Sequence, residues 1–432
     1  MQQRQLRPDA DLRPQRDALL TAWRDPDFRR LWAGQGVSYL GSQVSVVALP
    51  LTAAAVLHAG PLHMGVLAAL SRAPYLLLGL VVGVWVDRLP RRPALVAVNL
   101  ALAVVLAVVP AAALLGWLGL PQLYAVTFVA GSFAVFLDVA HLAYVPTLVP
   151  AHRRTGAQSL IEVTQSTGQL GGPALAGWLV QVLTAPVAVA VDALSHLVAA
   201  GSVLAIRHRA PRPAGPAPGL LTAVRAGLRV VFGEPVLRAV TLATATLVFW
   251  ASGSSALLVL HLLRERDLAP WLLGVTLGAA AVGGLFGAVV AAPLGRRLGS
   301  GPTMAYALLV GGLGAGLTPL AEWAPGWTAF ALVLTSQVVT GFGQQVHHVH
   351  QVPIRYALTP DHLHGRVNAT IRTVVWGSAP VGALLAGWLA QHWGTTPVLA
   401  LGAVGMATAA AWVVGSPARR VRHDADLRPA GR

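Results

Sequence analysis

Five ionisable side chains stand inside stretches that are otherwise almost wholly apolar or small: Arg72, Asp138, Glu162, Asp192 and Arg372. None is flanked by the nucleophile and base that acyl or phosphoryl transfer needs. What carboxylates and guanidiniums in this setting can do is bind and release protons, or hold and drop an ion partner. Asp138, with His141 about one turn away, is the first candidate for proton exchange, with Glu162 and Asp192 behind it; a hydrogen bond to a neighbouring helix is the competing role for Asp138. Asp192 and His196 fall at i and i+4, a spacing that suits a structural pair. Arg72 can attract an anionic substrate group or neutralise Asp138. The cluster "QQVHHVH" places His347 and His350 one turn apart, but two imidazoles are short of the three or four ligands of a stable metal site. A helix-terminal cation or a proton-sensitive gate is expected there, with no metal and no cofactor.

These residues need elements to hold them, and composition says which. The chain has 432 residues, 55% hydrophobic and 11% charged, with no cysteine and no lysine. Absent cysteine excludes disulfides, thiolate metal sites and cysteine nucleophiles. A spanning helix takes about 20 apolar residues, and apolar runs fall near 31–57, 64–86, 93–115, 123–145, 157–183 and 187–206, then 236–260, 271–293, 304–320, 327–346, 367–390 and 398–414. The expected class is therefore all-α integral membrane, with twelve transmembrane helices in two six-helix bundles. The first thirty residues hold seven arginines and no apolar core before a small-residue cleavage site, so insertion led by the first run is expected.

All 31 basic side chains are arginines. When alternate loops are assigned to opposite sides, every arginine except Arg72, Arg372, Arg264 and Arg266 falls on the side of the two tails, and Arg264 and Arg266 sit beside Glu265 and Asp267. That is the positive-inside pattern. It places both termini in the cytoplasm, accounts for the net charge of +15, and leaves no need for nucleic acid as a partner. The stretch "GVWVDRLPRR", Gly83 to Arg92, belongs to the same side.

The halves repeat. An offset of 210 superposes "ALAGWLVQ" from Ala174 on "LLAGWLAQ" from Leu384, and an offset of 209 aligns Gly65-Val66 with Gly274-Val275. Fixed-period self-similarity marks a duplicated unit. The expected organisation is a basic tail over 1–30, bundles over 31–206 and 236–415, a linker over 207–235 carrying a short amphipathic helix with Arg225 and Arg229, and a basic tail over 416–432.

Two pseudo-symmetric six-helix halves, a charged loop after the second helix of each, and the stretches "FRRLWAGQGVSYLGSQVSVVALPL", "VDRLPRRP" and "VDALSHL" resemble the major facilitator superfamily over nearly the whole chain. Within it they look most like macrolide-efflux and enterobactin-exporter proteins. The family's loop motif G-x-x-x-D-R-x-G-R-R is met by Gly83, Asp87, Arg88, Arg91 and Arg92, with Pro90 where glycine is usual. The resemblance implies that the second and eleventh helices meet, so that Asp87 faces the positive N-terminal end of the eleventh; a gating set of Asp87, Arg88, Arg91, Arg92 and Arg372, joined by Glu162, follows. The arginines also suit anionic lipid head groups. The antiporter motif of the fifth helix, G-x-x-x-G-P-x-x-G-G, is met by Gly168, Gly172, Pro173 and Gly177, with Ala176 in place of one glycine; small residues allow close approach and proline a bend, and ordinary helix packing is the competing role. Gln43, Arg72, Trp250 and Gln344, with Phe249, are the expected cavity walls. The first helix lacks the carboxylate of many drug antiporters, offering Ser42 and Gln43, and Thr127 stands where an arginine is common.

The implied function is a monomeric secondary transporter of the plasma membrane, coupled to protons and exporting hydrophobic drug-like or siderophore-like molecules from a central site reached from alternate sides. Uptake or uniport of a metabolite is the alternative, and a membrane sensor a weaker one.

Overall fold

The computed structural model describes residues 23, 25–86, 89–150, 153–207, 220–265, 269–360 and 363–422, and among these there is no strand. Twelve long helices among the described residues carry the fold. The first half comprises α1 Pro26–Leu51, α2 Pro61–Val86, α3 Arg91–Leu114, α4 Leu120–Leu148, α5 Arg154–Leu183 and α6 Ala185–Leu204. The second comprises α7 Pro235–Leu260, α8 Pro270–Leu298, α9 Ser300–Ala315, α10 Gly326–Leu358, α11 His364–Trp393 and α12 Thr395–Val414. A linker helix, Leu220–Gly233, lies between the halves in sequence.

Ten of the twelve are long and apolar enough to cross a membrane. The other two, α5 and α10, are 30 and 33 residues long and carry the polar side chains that face other helices. Helix ends are set by local chemistry. The Asp25 carboxylate accepts from the amides of Asp27 and Phe28 at 2.9 and 3.1 Å, capping α1 in the usual manner. Proline opens α1, α4, α6, α7 and α8 within the first turn, where its missing N–H costs nothing. Thr184 and Gly394, at φ 82° and 86°, turn the chain abruptly from α5 into α6 and from α11 into α12. Only the second is a glycine, so the first copy bears the strain of this backbone region.

The apolar limits misplace the ends of two helices, one too short and one too long. The tenth apolar run fades at Val346 but α10 continues to Leu358, because its polar side chains find buried partners. His347 meets Thr244 Oγ1 at 3.0 Å and His350 meets the Ala291 carbonyl at 3.0 Å. The ninth run, expected to 320, breaks at Gly316 into a separate turn, Leu317–Leu320.

Within the first half α1 packs on α5 and α6, and α4 on α2 and α3; within the second α7 packs on α11 and α12, and α10 on α8 and α9. The halves meet along α2 with α11 and α5 with α8. The first and seventh helices each run into a π-helical turn, Thr52–Val56 and His261–Glu265, at the end remote from the chain termini. There the Arg264 guanidinium donates to the Ala54 carbonyl at 2.8 Å, tying the halves together. The linker helix rests on α11 and α7. At Gly227 a β-carbon would come within 2.8 Å of the Arg366 carbonyl, so glycine permits that approach.

Candidate functional site

The inter-half contacts run from the remote end to the middle of the helices, and there the ionisable residues gather. Asp138 of α4 is exposed, as are Arg72 of α2 and Arg372 of α11. Tyr75, one turn from Arg72, donates its hydroxyl to Asp138 Oδ2 at 2.8 Å. Across the interface, Trp376 of α11 receives the Arg72 guanidinium over its ring at 5.1 Å from the centroid. Its ring lies 6.4 Å from that of Tyr75. Four side chains from three helices, drawn from both halves, therefore make one contiguous group, with Arg372 close enough for its charge to act on Asp138.

Its electrostatics are open. Among the described residues neither Arg72 nor Arg372 is ion-paired. Asp138 is held by a neutral hydroxyl, and Arg72 by an aromatic face, an arrangement worth about 0.5 to 2 kcal/mol. The guanidinium donors remain available to something entering the cavity, and Trp376 with Tyr75 supplies aromatic surface beside them.

Toward the termini the cavity walls become more polar. Gln158 donates to Glu162 Oε1 at 3.1 Å, and Glu162 is close enough for its charge to act on His348 of α10. Arg355 donates to Asn368 Oδ1 at 2.7 Å, linking α10 to α11. Glu162, His348 and Arg372 are all exposed, so the space between the halves opens to the side of the termini. On the α1 wall, Gln43 donates to the Gly168 carbonyl at 3.4 Å and Tyr39 accepts from Gln169 at 3.1 Å.

The glycines of α5 divide their work. A β-carbon on Gly168 would lie 2.8 Å from the Tyr39 ring, and one on Gly172 2.6 Å from the Gln43 β-carbon, so both seat α5 on α1. Gly177 instead crosses to the other half, where a β-carbon would fall 3.0 Å from the Cα of Gly274. Pro173 sits between them inside the helix.

Other expected site residues are placed elsewhere. Asp87 and Arg88 lie outside the described residues. Arg91 is half-buried. Arg92 donates to the carbonyls of Val203 and Leu204 at 3.3 and 2.6 Å, closing the C-terminal end of α6, where carbonyls are otherwise unsatisfied. Trp250 stacks edge-on against Phe249 at 5.2 Å and its indole packs on Gly405 of α12. Gln344 lines a cavity of about 230 Å³ formed by residues of the second half, with Ser254, Ser255, Ser336, Gln337 and Thr340. Asp192 is buried between α1, α3 and α6, away from the central group.

Sequence reasoning passed over Tyr75, Trp376 and Arg355. The signal for the first two was present: each cavity arginine has an aromatic residue one turn further on, Arg72 with Tyr75 and Arg372 with Trp376, and i, i+3 and i, i+4 neighbours share a helix face.

Comparison with known proteins agrees with this architecture. A family model described as Major Facilitator Superfamily matches residues 31–379. The multidrug efflux pump Tap of Mycolicibacterium fortuitum is 29% identical over 399 residues, which is 87% of this chain and 93% of that protein. Macrolide efflux protein A of Streptococcus pyogenes is 26% identical over 185 residues, 42% of this chain and 44% of its own length. Among solved structures, the nucleoside transporter NupG superposes with a TM-score of 0.71 at 10% identity, covering 90% of this chain and 98% of that one. A bacterial homologue of the iron transporter ferroportin in an inward-facing state gives 0.71 at 17% identity, with the same coverage. Likeness at these identities concerns the fold alone.

Proposed function

The chain belongs to the major facilitator superfamily and is an integral membrane transporter of that family; within it we propose proton-driven export of hydrophobic small molecules, macrolide-like or siderophore-like in character, by alternating access. The observation that carries this reading is the Tyr75–Asp138 contact beside Arg72 and Trp376. It sets a protonatable carboxylate, two cations and an aromatic face around one space that both halves line. Two relatives are themselves named as efflux proteins.

In this scheme Asp138 is the coupling residue. While it is ionised it accepts from Tyr75 and feels the charges of Arg72 and Arg372. A proton arriving from outside cancels that charge and loosens its hold on Tyr75. Because Tyr75 and Arg72 of α2 both lie against Trp376 of α11, the proton's arrival is felt at an inter-half contact. A bound proton therefore changes the relative stability of the two orientations, which is all that coupling requires. The plasma membrane, cytoplasmic termini, lipid contacts through the loop arginines and a monomeric state complete the proposal.

The experiment is whole-cell accumulation of a macrolide and a fluorescent dye with and without the protein. Lower accumulation that an uncoupler abolishes is expected. Higher accumulation would replace export by uptake, and an effect indifferent to the uncoupler would remove the proton.

A further inference from the structure

Away from the central group, the first half encloses a second polar cluster. Asp192 and His196 of α6 are 2% and 3% exposed and face Ser38 and Ser42 of α1 and Asn99 of α3. The hydrogen positions in this cluster follow from its acceptors. Asn99 Nδ2 lies 2.8 Å from the Leu95 carbonyl, which can only accept. The orientation of the amide is thereby fixed, and Oδ1 is the atom facing His196 Nδ1 at 3.0 Å. Two acceptors do not face one another at that distance, so Nδ1 bears hydrogen. Ser38 Oγ, 3.1 Å away, is a second acceptor for it.

A neutral imidazole so oriented has its lone pair on Nε2. That atom looks at Asp192 Oδ1 across 3.5 Å. A lone pair against a carboxylate oxygen is unfavourable anywhere, and more so where no water screens it. Ser42 and Ser195 also approach Oδ1, at 3.4 and 3.3 Å, but Ser195 is nearer the Asp192 carbonyl at 2.7 Å, and hydroxyls add no net charge. One positive charge is needed between Nε2 and Oδ1. Space favours the smallest: a β-carbon on Gly41 of α1 would come within 2.6 Å of the Ser195 β-carbon and 3.0 Å of Asp192 Oδ1. We propose that Asp192 and His196 form a buried site for a single proton, distinct from the cavity carboxylate, which joins α6 to α1 and α3.

The proton comes from the medium and is held either as imidazolium beside carboxylate or as carboxylic acid donating to imidazole; both states have the same charge and the same count. Among the described residues the other titratable group whose charge reaches His196 is His141 of α4, which has its own acceptor in the Leu137 carbonyl at 2.9 Å. The site bears on transport through α1, whose Tyr39 and Gln43 contact α5 in the cavity wall. It depends on neither the direction nor the substrate of transport.

Proton counting gives the test. In the unfolded chain above neutrality the pair holds no proton, in the folded chain it holds one, and stability therefore falls as pH rises until the folded site gives up its proton. Thermal unfolding of the full-length protein in detergent is measured from pH 6 to 9, for the wild type, Asp192→Asn and the cavity control Asp138→Asn. In Asp192→Asn the new amide donates to Nε2 with no proton bound. The expected result is a midpoint that falls about 1–3 °C per pH unit more steeply in the wild type and Asp138→Asn than in Asp192→Asn. If Asp192→Asn does not fold, His196→Gln, whose amide donates to the carboxylate, takes its place. Equal slopes in all variants overturn the proposal. A wild-type midpoint restored at high pH by sodium, in buffers otherwise free of alkali ions, overturns the proton in favour of a metal cation.

Discussion

Gly65 of α2 stands directly on Gly387 of α11, and a β-carbon on either would lie 2.9 Å from the Cα of the other. The duplication makes the partner crossing: Gly274 of α8 and Gly177 of α5 occupy the corresponding positions and approach to 3.0 Å by the same measure. Closure of the remote end thus rests on two backbone-to-backbone contacts that only glycine allows. Gly65→Val is expected to keep the protein folded, since the residue meets only the opposite half, while preventing that closure and cutting transport at least tenfold. Cysteines replacing Gly60 and Gln391, where a β-carbon on the first would lie 3.4 Å from the side-chain oxygen of the second across the same end, would be bridged by a short bifunctional thiol reagent in the cysteine-free parent and largely fail to be in the variant.

Asp138→Asn is expected to abolish accumulation against a gradient while leaving substrate-for-substrate exchange largely intact, because exchange needs reorientation without net protonation. Counterflow in reconstituted vesicles, with and without an imposed pH gradient, separates the two. A variant that still concentrates substrate removes Asp138 from the coupling role.

Tyr75→Phe removes the one hydrogen bond that Asp138 receives from a side chain among those described. A bond to an ionised group is worth about 1.5–3 kcal/mol. The proton-driven rate should fall roughly 10- to 100-fold by that measure, with expression unchanged. Tyr75→Phe that behaves as wild type would mean that the hydroxyl does not hold Asp138 during turnover.

For substrate, the informative pair is Arg72→Lys and Trp376→Phe. Lysine keeps the charge but loses the planar stacking of guanidinium on indole, and phenylalanine keeps a smaller aromatic face. Each should weaken substrate binding about 2- to 30-fold, the range of a cation–π contact. The double variant should be no weaker than the poorer single one, because the residues act through each other. Binding measured on purified protein, with additive losses in the double variant, would make them independent walls.

Arg264→Ala deletes the clasp to the Ala54 carbonyl. A single hydrogen bond from a charged donor at an exposed site should move the balance between orientations by about tenfold or less. Increased labelling of a cysteine at position 60 would report it. Unchanged labelling would show that the glycine crossings suffice.

Much of this was legible in the sequence for a physical reason: loop charge and apolar length report the bilayer directly, and the constant offset reports the duplication. Helix ends were less so. Hydropathy ends at a polar side chain, whereas the α10 backbone continues while His347 and His350 find partners on α7 and α8. The central group was half legible. Arg72, Asp138 and Arg372 are conspicuous in apolar runs, but the partners of the first two, Trp376 and Tyr75, are ordinary aromatic residues until the halves are brought together. Asp192 with His196 could be read from spacing alone. Asn99, which fixes the imidazole hydrogen from a helix 97 residues away in the chain, could not.

The two π-helical turns, Thr52–Val56 and His261–Glu265, also bear on the duplication. They stand at the same offset that relates Gly65 to Gly274, so the irregularity belongs to the repeated unit and not to one half of the chain. The widened turn in the first half sends the amide of Ala59 to the Ala53 carbonyl, and the neighbouring Ala54 carbonyl accepts from Arg264. The arginine has no counterpart, since Ala55 occupies the equivalent place. The turns are therefore common to both copies and the clasp is not: a symmetrical irregularity of the backbone carries a one-sided bond between the halves, from Arg264 to the Ala54 carbonyl.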